Sequence, residues 1–530
     1  MLENGGPKGP PFSFQAPVLR TIGNEVNRAE ANRKAAQLLE IDSHSAFSDG
    51  VQLVQSDFAE TLLPVARELT YRFPSDAKFH QLLGLAARSS QESGLALDAF
   101  RSATAFAPDD PLIAHSLART SLEAGVPAVS LFRRAARLAP NDGNVTLGLA
   151  AALLHEGAPA ESIELLDQVT AERPEWIEAH RDAARLRGQM GLDPFQTIEK
   201  ALQARPELGE LWSLRISIAL EISDLSKANE AVHSAQRVLG HDRKIDVLAA
   251  HILSESGSSE AADKMFLKLG PLISIQEASL RARQLIREQR PEDAANLIEP
   301  IIAKDREHAL LPYLTLAWRM SGNPNWRWVE DRQNVVKTFD LRDDIADFPE
   351  LVDTVRDLHF AKREPLDQSV KGGTQTDGNL LLRLEPPLVR LKELLREKVR
   401  SYADRLPPFE EGHPTLIARR QPIRFAGSWS VRLKNAGFHS DHVHNMGWIS
   451  SAFYLTLPEE LSEDRAGEHS GWLALGESRD LVPDLPPLQM IKPKIGRLVL
   501  FPSSMWHGTR PFVSGERMTV AFDIARPNQG

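Results

Sequence analysis

Residues 96–140 read ALDAFRSATAFAPDDPLIAHSLARTSLEAGVPAVSLFRRAARLAP, and the same pattern runs through this stretch twice. Ala96 and Ala128, Phe100 and Phe132, Ala103 and Ala135, and Pro108 and Pro140 occupy matching places. Working outward, Pro74, Pro174 and Pro206 extend the series, so that five prolines follow one another at spacings of 34, 32, 34 and 32 residues. Each lies in a short polar turn (FPSD, APDD, APND, RPEW, RPEL) that precedes a helical pattern. Proline lacks an N–H and disfavours a helical residue before it, so it closes one helix ahead of the next. Ten residues after a proline come Gly84, Ala118, Ala150 and Ala184, small enough to let two helices of a hairpin approach closely. The phenylalanines eight residues before the turn are placed to fill the groove between neighbouring hairpins.

A helix–turn–helix unit of this length resembles the tetratricopeptide repeat. The resemblance is strongest over roughly residues 75–210, and helical periodicity continues through Ala228–Gln236, Ala261–Leu269 and Ala294–Ala303. An α-solenoid is therefore expected over 25–322, with 25–74 as a divergent first repeat or cap. The resemblance implies a protein or peptide partner bound by the repeats.

The chain has 530 residues, too many for one hydrophobic core. Its 42% hydrophobic and 25% charged residues are an ordinary globular balance. A net charge of -10 without a basic block argues against nucleic acid or an anionic membrane as partner. With no cysteine, disulfides, thiolate nucleophiles, iron–sulfur clusters and Cys-ligated zinc are excluded, and any metal must be held by His, Asp or Glu. Met1–Pro11 is rich in Gly and Pro and has no apolar run, so neither a signal peptide nor a membrane span is expected. Residues 1–24 are expected to be disordered and the protein cytoplasmic.

After Asn323 the repeat disappears, and 323–530 reads as a second domain. Lys371–Gly378 is expected to be a flexible polar stretch. Pro387–Leu406 carries Leu391, Leu394, Leu395 and Val399 at helical spacing, so one amphipathic helix is expected there. Beyond residue 414 the period shortens to about two. Short apolar runs at Gly427–Leu433, Ile449–Leu457, Gly471–Leu475, Gly496–Phe501 and Met518–Ile524 are separated by turn residues. That pattern predicts a β-sandwich or jelly roll.

The chemistry-bearing residues lie in this second domain. Three histidines fall within six residues, His439, His442 and His444, with Asp441 among them, and His507 stands alone some 65 residues later. An iron(II) centre for oxygen chemistry needs three protein ligands on one face, leaving positions for a co-substrate and O₂. Side chains two apart on a strand project to the same face, so a near pair plus a distant third ligand suits such a centre. Arg517 follows His507 by ten residues, and a guanidinium can neutralise the far carboxylate of a 2-oxoglutarate dianion. Thr519 shares the face of Arg517 and can add a hydroxyl donor.

Residues 326–530 resemble the 2-oxoglutarate/iron oxygenases of the double-stranded β-helix superfamily, and more closely a bacterial and phage subgroup often fused to tetratricopeptide repeats. The residues that carry the resemblance are Gly372–Thr376, His442-Val-His444, Ser450–Leu455, Phe501-Pro502, Trp506-His507 and Arg517. The superfamily usually has His-x-Asp or His-x-Glu as the near pair. Two registers are open here: His442 with His444, which fits the subgroup, and His439 with Asp441, which restores the carboxylate. A site with one near ligand, His442, is a third reading. The first is preferred, giving His442, His444 and His507 as metal ligands. Arg517, Thr519, Tyr454 and Arg432 are candidates to hold the co-substrate. The resemblance implies an Fe(II)- and 2-oxoglutarate-dependent dioxygenase that uses O₂ to hydroxylate a peptide or protein recruited by the repeats. The alternative is a non-catalytic repeat scaffold or adaptor carrying an inert or small-molecule-binding cupin-like barrel.

Overall fold

The computed structural model describes residues 27–366, 368–462 and 469–529. The segment 1–24, expected to be disordered, lies outside them.

From Arg28 to Glu330 the described chain is α-helical, folded into successive antiparallel hairpins. The polar turns after the prolines are helix N-caps. Asp76, Asp110 and Asp142 each accept a hydrogen bond from a backbone N–H of the first turn that follows. Each cap contributes about 1 kcal/mol by satisfying a donor that has no partner within the helix. Phe100 and Phe132 are fully buried. Phe100 lies against Gly84 inside its own hairpin, and Phe132 lies against Gly148 of the next hairpin. A Cβ on either glycine would fall under 3 Å from the ring.

The bend within each hairpin carries a second periodic signal. The residues with left-handed backbone are Asp57, Gln91, Gly125, Gly157, Gly191, Ser223, Gly257, Gln289 and Gly322, every 32 to 34 residues. A left-handed residue ends a helix by turning its last N–H groups back onto free carbonyls, and glycine does so with the least strain. The repeat therefore persists well beyond the five prolines.

The C-terminal part is an antiparallel β-domain. Its strands are β1 (Lys337–Asp340), β2 (Val370–Gln375), β3 (Phe425–His439), β4 (Gly447–Thr456), β5 (Leu473–Leu475), β6 (Gln489–Ile491), β7 (Arg497–Pro502), β8 (His507–Thr509) and β9 (Glu516–Ala525). They form a six-stranded sheet ordered β1-β7-β4-β9-β3-β2 and a three-stranded sheet ordered β6-β5-β8. The helix Pro386–Arg405 covers the outer face of the larger sheet, burying Leu388, Leu391, Leu395 and Val399 with Phe425, Phe453 and Phe522. Each of the five expected strand segments overlaps a strand, though Gly471–Leu475 is strand only from Leu473. Lys371–Gly378 differs from expectation: its first half is edge strand β2, paired to β3. Gly373 packs so tightly against the Arg432 carbonyl that a Cβ would sit 2.5 Å from it, a closeness that glycine-rich composition disguises as flexibility.

The chain between helix 348–357 and β3 runs along the hairpin bends of the solenoid. Lys362 and Arg363 donate their N–H groups to the Gln189 carbonyl, and Leu384 donates to that of Ala124. Gln91 clamps Phe425 with both ends of its side-chain amide, at 2.7 and 2.9 Å. Arg424 is paired with Asp57 and Glu60. At the other end of the solenoid the Trp506 indole donates to the Pro312 carbonyl at 3.0 Å. Among the described residues no helix is long and apolar enough to cross a membrane.

Candidate metal and co-substrate site

The site is closed by a backbone bridge. His442 and His507 exchange N–H···O bonds, both 2.9 Å, which sets residues 65 apart in sequence opposite one another. His444 is two residues on and donates its N–H to the Ser503 carbonyl, so it stays on the same side as His442. The three rings converge: centroid separations are 4.2 Å for His442–His507, 4.9 Å for His444–His507 and 5.0 Å for His442–His444. One ring nitrogen from each lies within 4.8 Å of those of the other two.

The remaining ring nitrogens are anchored. Nδ1 of His442 meets the Ser440 carbonyl at 2.7 Å, Nδ1 of His507 meets that of Met505 at 2.9 Å, and Nδ1 of His444 meets Asp523 Oδ1 at 2.7 Å. Because each acceptor takes a proton from Nδ1, the lone pair is left on Nε2. His444 Nε2 is buried without a hydrogen-bond partner, while His442 Nε2 touches the Ser369 hydroxyl at 3.3 Å. Burial, and then the neighbouring imidazoles, push His442 and His507 well below the usual histidine range. Both are thus neutral, the form that ligates metal. Three imidazoles converging on one buried point are a donor set for a first-row divalent ion.

Arg517 completes the pocket. It is 2% exposed, and its Nε and Nη1 have no hydrogen-bond partner. No carboxylate pairs with it among the described residues, and its guanidinium lies over the Tyr454 ring at 5.1 Å. Burial lowers its pKa from the ordinary arginine value. A buried cation without a counter-ion is costly, and leaving its donors unmade adds to the cost. The site therefore fits an anion beside a metal, which is how a 2-oxoglutarate dianion would lie.

Register explains how the fold gathers these groups. On β9, Arg517 faces Leu433 of β3, and Thr519 lies between Val431 of β3 and Tyr454 of β4. Arg517, Thr519, His439, His442, His444 and His507 line one pocket. Tyr454 is fully buried behind Arg517, and its hydroxyl has no hydrogen-bond partner. Burial pushes its phenol up, and Arg517 pulls it partly back.

Two candidates lie elsewhere. Arg432, opposite in parity to Val431 and Leu433, turns from the pocket and pairs with Glu516 at 2.5 Å. Asp441 is gripped by Arg479, whose Nε, Nη2 and backbone N–H all donate to it at 2.8 Å. Its carboxylate fills the space where a Cβ on Gly508 would stand. The alternative register is thereby split: His439 lines the pocket, bonded to Ser369 at 3.1 Å, while Asp441 faces Arg479. Burial and then Arg517 push His439 down to about 3.

Two further residues were missed by sequence reading. Gln375, in the middle of the glycine- and threonine-rich stretch, lines the pocket with its Nε2 unpartnered. Asp523 stands behind His444. Parity could have found Asp523, since it continues the series Arg517, Thr519, Ala521 along one face of a strand.

Residues 427–523 match the family described as "Putative 2OG-Fe(II) oxygenase", and residues 128–186 match a tetratricopeptide-repeat family. No curated protein matches the chain. Solved structures similar to it include a tetratricopeptide repeat protein from Parabacteroides merdae, 13% identical, covering 46% of this chain and 95% of that one with a TM-score of 0.29. YrrB, a tetratricopeptide protein with an unusual peptide-binding site, is 19% identical over 34% of this chain and 96% of its own, TM-score 0.28. An oxidoreductase of the 2OG-Fe(II) oxygenase family from Burkholderia pseudomallei is 14% identical over 28% of this chain and 59% of its own, TM-score 0.20.

Proposed function

We propose that this chain, in which a tetratricopeptide-repeat region precedes a 2OG-Fe(II)-oxygenase-type domain, is an Fe(II)- and 2-oxoglutarate-dependent dioxygenase that hydroxylates a peptide or protein substrate. On this reading residues 25–322 form the recruiting solenoid and 323–530 the catalytic domain. His442, His444 and His507 would hold iron(II) through Nε2. When bound, the metal with 2-oxoglutarate and O₂ supplies oxidative decarboxylation of the co-substrate coupled to hydroxylation of a C–H bond.

The chain's own contribution is position, charge and exclusion of water. Anchored Nδ1 atoms hold three imidazoles in one tautomer. Arg517 receives the far carboxylate of the co-substrate with a two-pronged, charge-assisted hydrogen bond, and Thr519 adds its hydroxyl. Tyr454 supports the guanidinium from behind. Trp429, packed 5.7 Å from the His444 ring, and Phe501, 4.7 Å from the His507 ring, keep the ligands dry.

One observation carries this reading: a fully buried guanidinium with two unmade N–H donors shares its pocket with three convergent histidines. A ligand that is both anionic and metal-chelating satisfies the two together. Recruitment of a peptide or protein rests on the repeats alone. The test is O₂-dependent conversion of 2-oxoglutarate to succinate by the iron-loaded full chain. Turnover lost on His507→Ala supports the reading. Absent turnover in the wild-type protein, with no binding of iron or 2-oxoglutarate under anaerobic conditions, leaves the inert barrel.

A further inference from the structure

We infer that Asp523 is the carboxylate of this metal centre moved outward by one imidazole ring: a positioning residue that fixes His444 as a ligand and supplies the negative charge that the triad lacks. The inference rests on the proposed iron site.

Three neutral imidazoles bring no charge to a divalent ion, whereas the usual set of two histidines and a carboxylate brings one. In this chain His444 stands where that carboxylate is ordinarily found. Directly behind it, Asp523 Oδ1 takes the Nδ1 hydrogen bond of His444 at 2.7 Å. Among the described residues no Arg or Lys pairs with Asp523; its sole ion-pair partner is His444. A carboxylate whose side chain is only 11% exposed and that has no cation of its own is expensive to bury. A divalent ion across the imidazole ring is the positive charge that this arrangement lacks.

The surroundings are built to hold it. Ser450 faces Asp523 across the β4–β9 pairing and donates its hydroxyl to the same Oδ1 at 2.6 Å. Ser450 also lies 2.9 Å from the Ser503 hydroxyl. Gly447 leaves room for this cluster, since a Cβ there would sit 2.4 Å from Ser503 Oγ and 3.3 Å from Asp523 Cβ. Strand parity then gives β9 a clear division of labour. Arg517 at one end meets the co-substrate, Ala521 leaves the pocket open in the middle, and Asp523 at the other end serves the metal.

The experiment is an anaerobic titration of the metal-free full chain with Co(II), following the visible absorption bands of the bound ion and the thermal midpoint of the metal-free protein. Asp523→Asn keeps the shape and removes the charge. Affinity should fall by about 10- to 100-fold, the range found when an outer partner of a ligating histidine is lost. The Co(II) bands should shift, and Asp523→Glu should recover part of the affinity. A merely structural role would lower the thermal midpoint and leave the affinity of the folded fraction and the bands unchanged. His442→Ala and His507→Ala serve as the reference. If they do not abolish Co(II) binding, the iron site itself is wrong. If they abolish it and Asp523→Asn matches wild type, only the present inference is overturned. A second measurement needs no variant: in the Zn(II)-loaded protein with labelled histidine, the Nδ1 proton of His444 should be present and strongly downfield. Its absence also overturns the inference.

Discussion

Replacing Arg517 by methionine should separate binding from stability in a way ordinary core substitutions do not. In the ligand-free protein the guanidinium is 2% exposed, with two unsatisfied donors and no counter-ion among the described residues. The two unmade donors destabilise that state, and contact with Tyr454 offsets part of the cost. Methionine keeps the length and the contact with the ring and carries no charge. Replacing even a buried ion pair by well-packed apolar residues is often neutral or stabilising, by about 1–4 kcal/mol, and here the cation has no pairing to lose. The thermal midpoint of the metal-free protein should therefore hold or rise. Co-substrate binding should move the other way. Truncating one partner of a buried, hydrogen-bonded charge pair costs about 2–5 kcal/mol, which is at least a roughly 30-fold loss in affinity. The assay is calorimetry of 2-oxoglutarate binding to the metal-loaded protein without oxygen, beside a thermal scan of the metal-free form. Metal affinity should stay near wild type, because Arg517 touches none of the three ligands through a hydrogen bond. Undiminished 2-oxoglutarate affinity in Arg517→Met would refute the reasoning, since the unmade donors would then have no ligand to meet.

Arg432→Ala should change 2-oxoglutarate affinity by less than about threefold, because this side chain is engaged with Glu516 away from the pocket; a loss comparable to Arg517→Met would contradict that. Gln91→Ala removes the amide clamp on Phe425 and should cost about 1–3 kcal/mol in urea unfolding of the full chain. Asp377, bonded to Gln189 of the solenoid at 3.3 Å, is pushed up by burial from 3.8 to about 7. The native protein therefore holds a proton that the unfolded chain releases. Its contribution to stability is full below about pH 4, declines above that and is gone once the pH passes about 7. Thermal midpoints measured from pH 5 to 8 should show this fall in wild type and a flatter profile in Asp377→Asn.

The solenoid was legible because its signals are local. Proline spacing, the capping aspartates and the phenylalanine–glycine pairs act within one hairpin or between neighbours. The left-handed bends keep the same period, but glycine stands at only five of the nine, with Asp57, Gln91, Ser223 and Gln289 at the others, so no single residue type marks them along the chain. The strand inside Lys371–Gly378, expected to be flexible, is hidden in the sequence because Gly372 and Gly373, which allow close approach to β3, look like glycines that confer freedom.

By itself the sequence determined the two-part architecture, the alternation that puts His442 with His444 and Arg517 with Thr519, and the absence of any thiol ligand. Those follow from strand parity, helical period and composition, properties that neighbouring residues carry with them. The tertiary structure decided what lies across from what. The His442–His507 bridge brings the distant ligand in, Arg479 draws Asp441 aside, and Asp523 arrives behind His444. Registers and sheet closure set those partners, and both are fixed by contacts between segments tens to hundreds of residues apart. No periodicity along the chain encodes them.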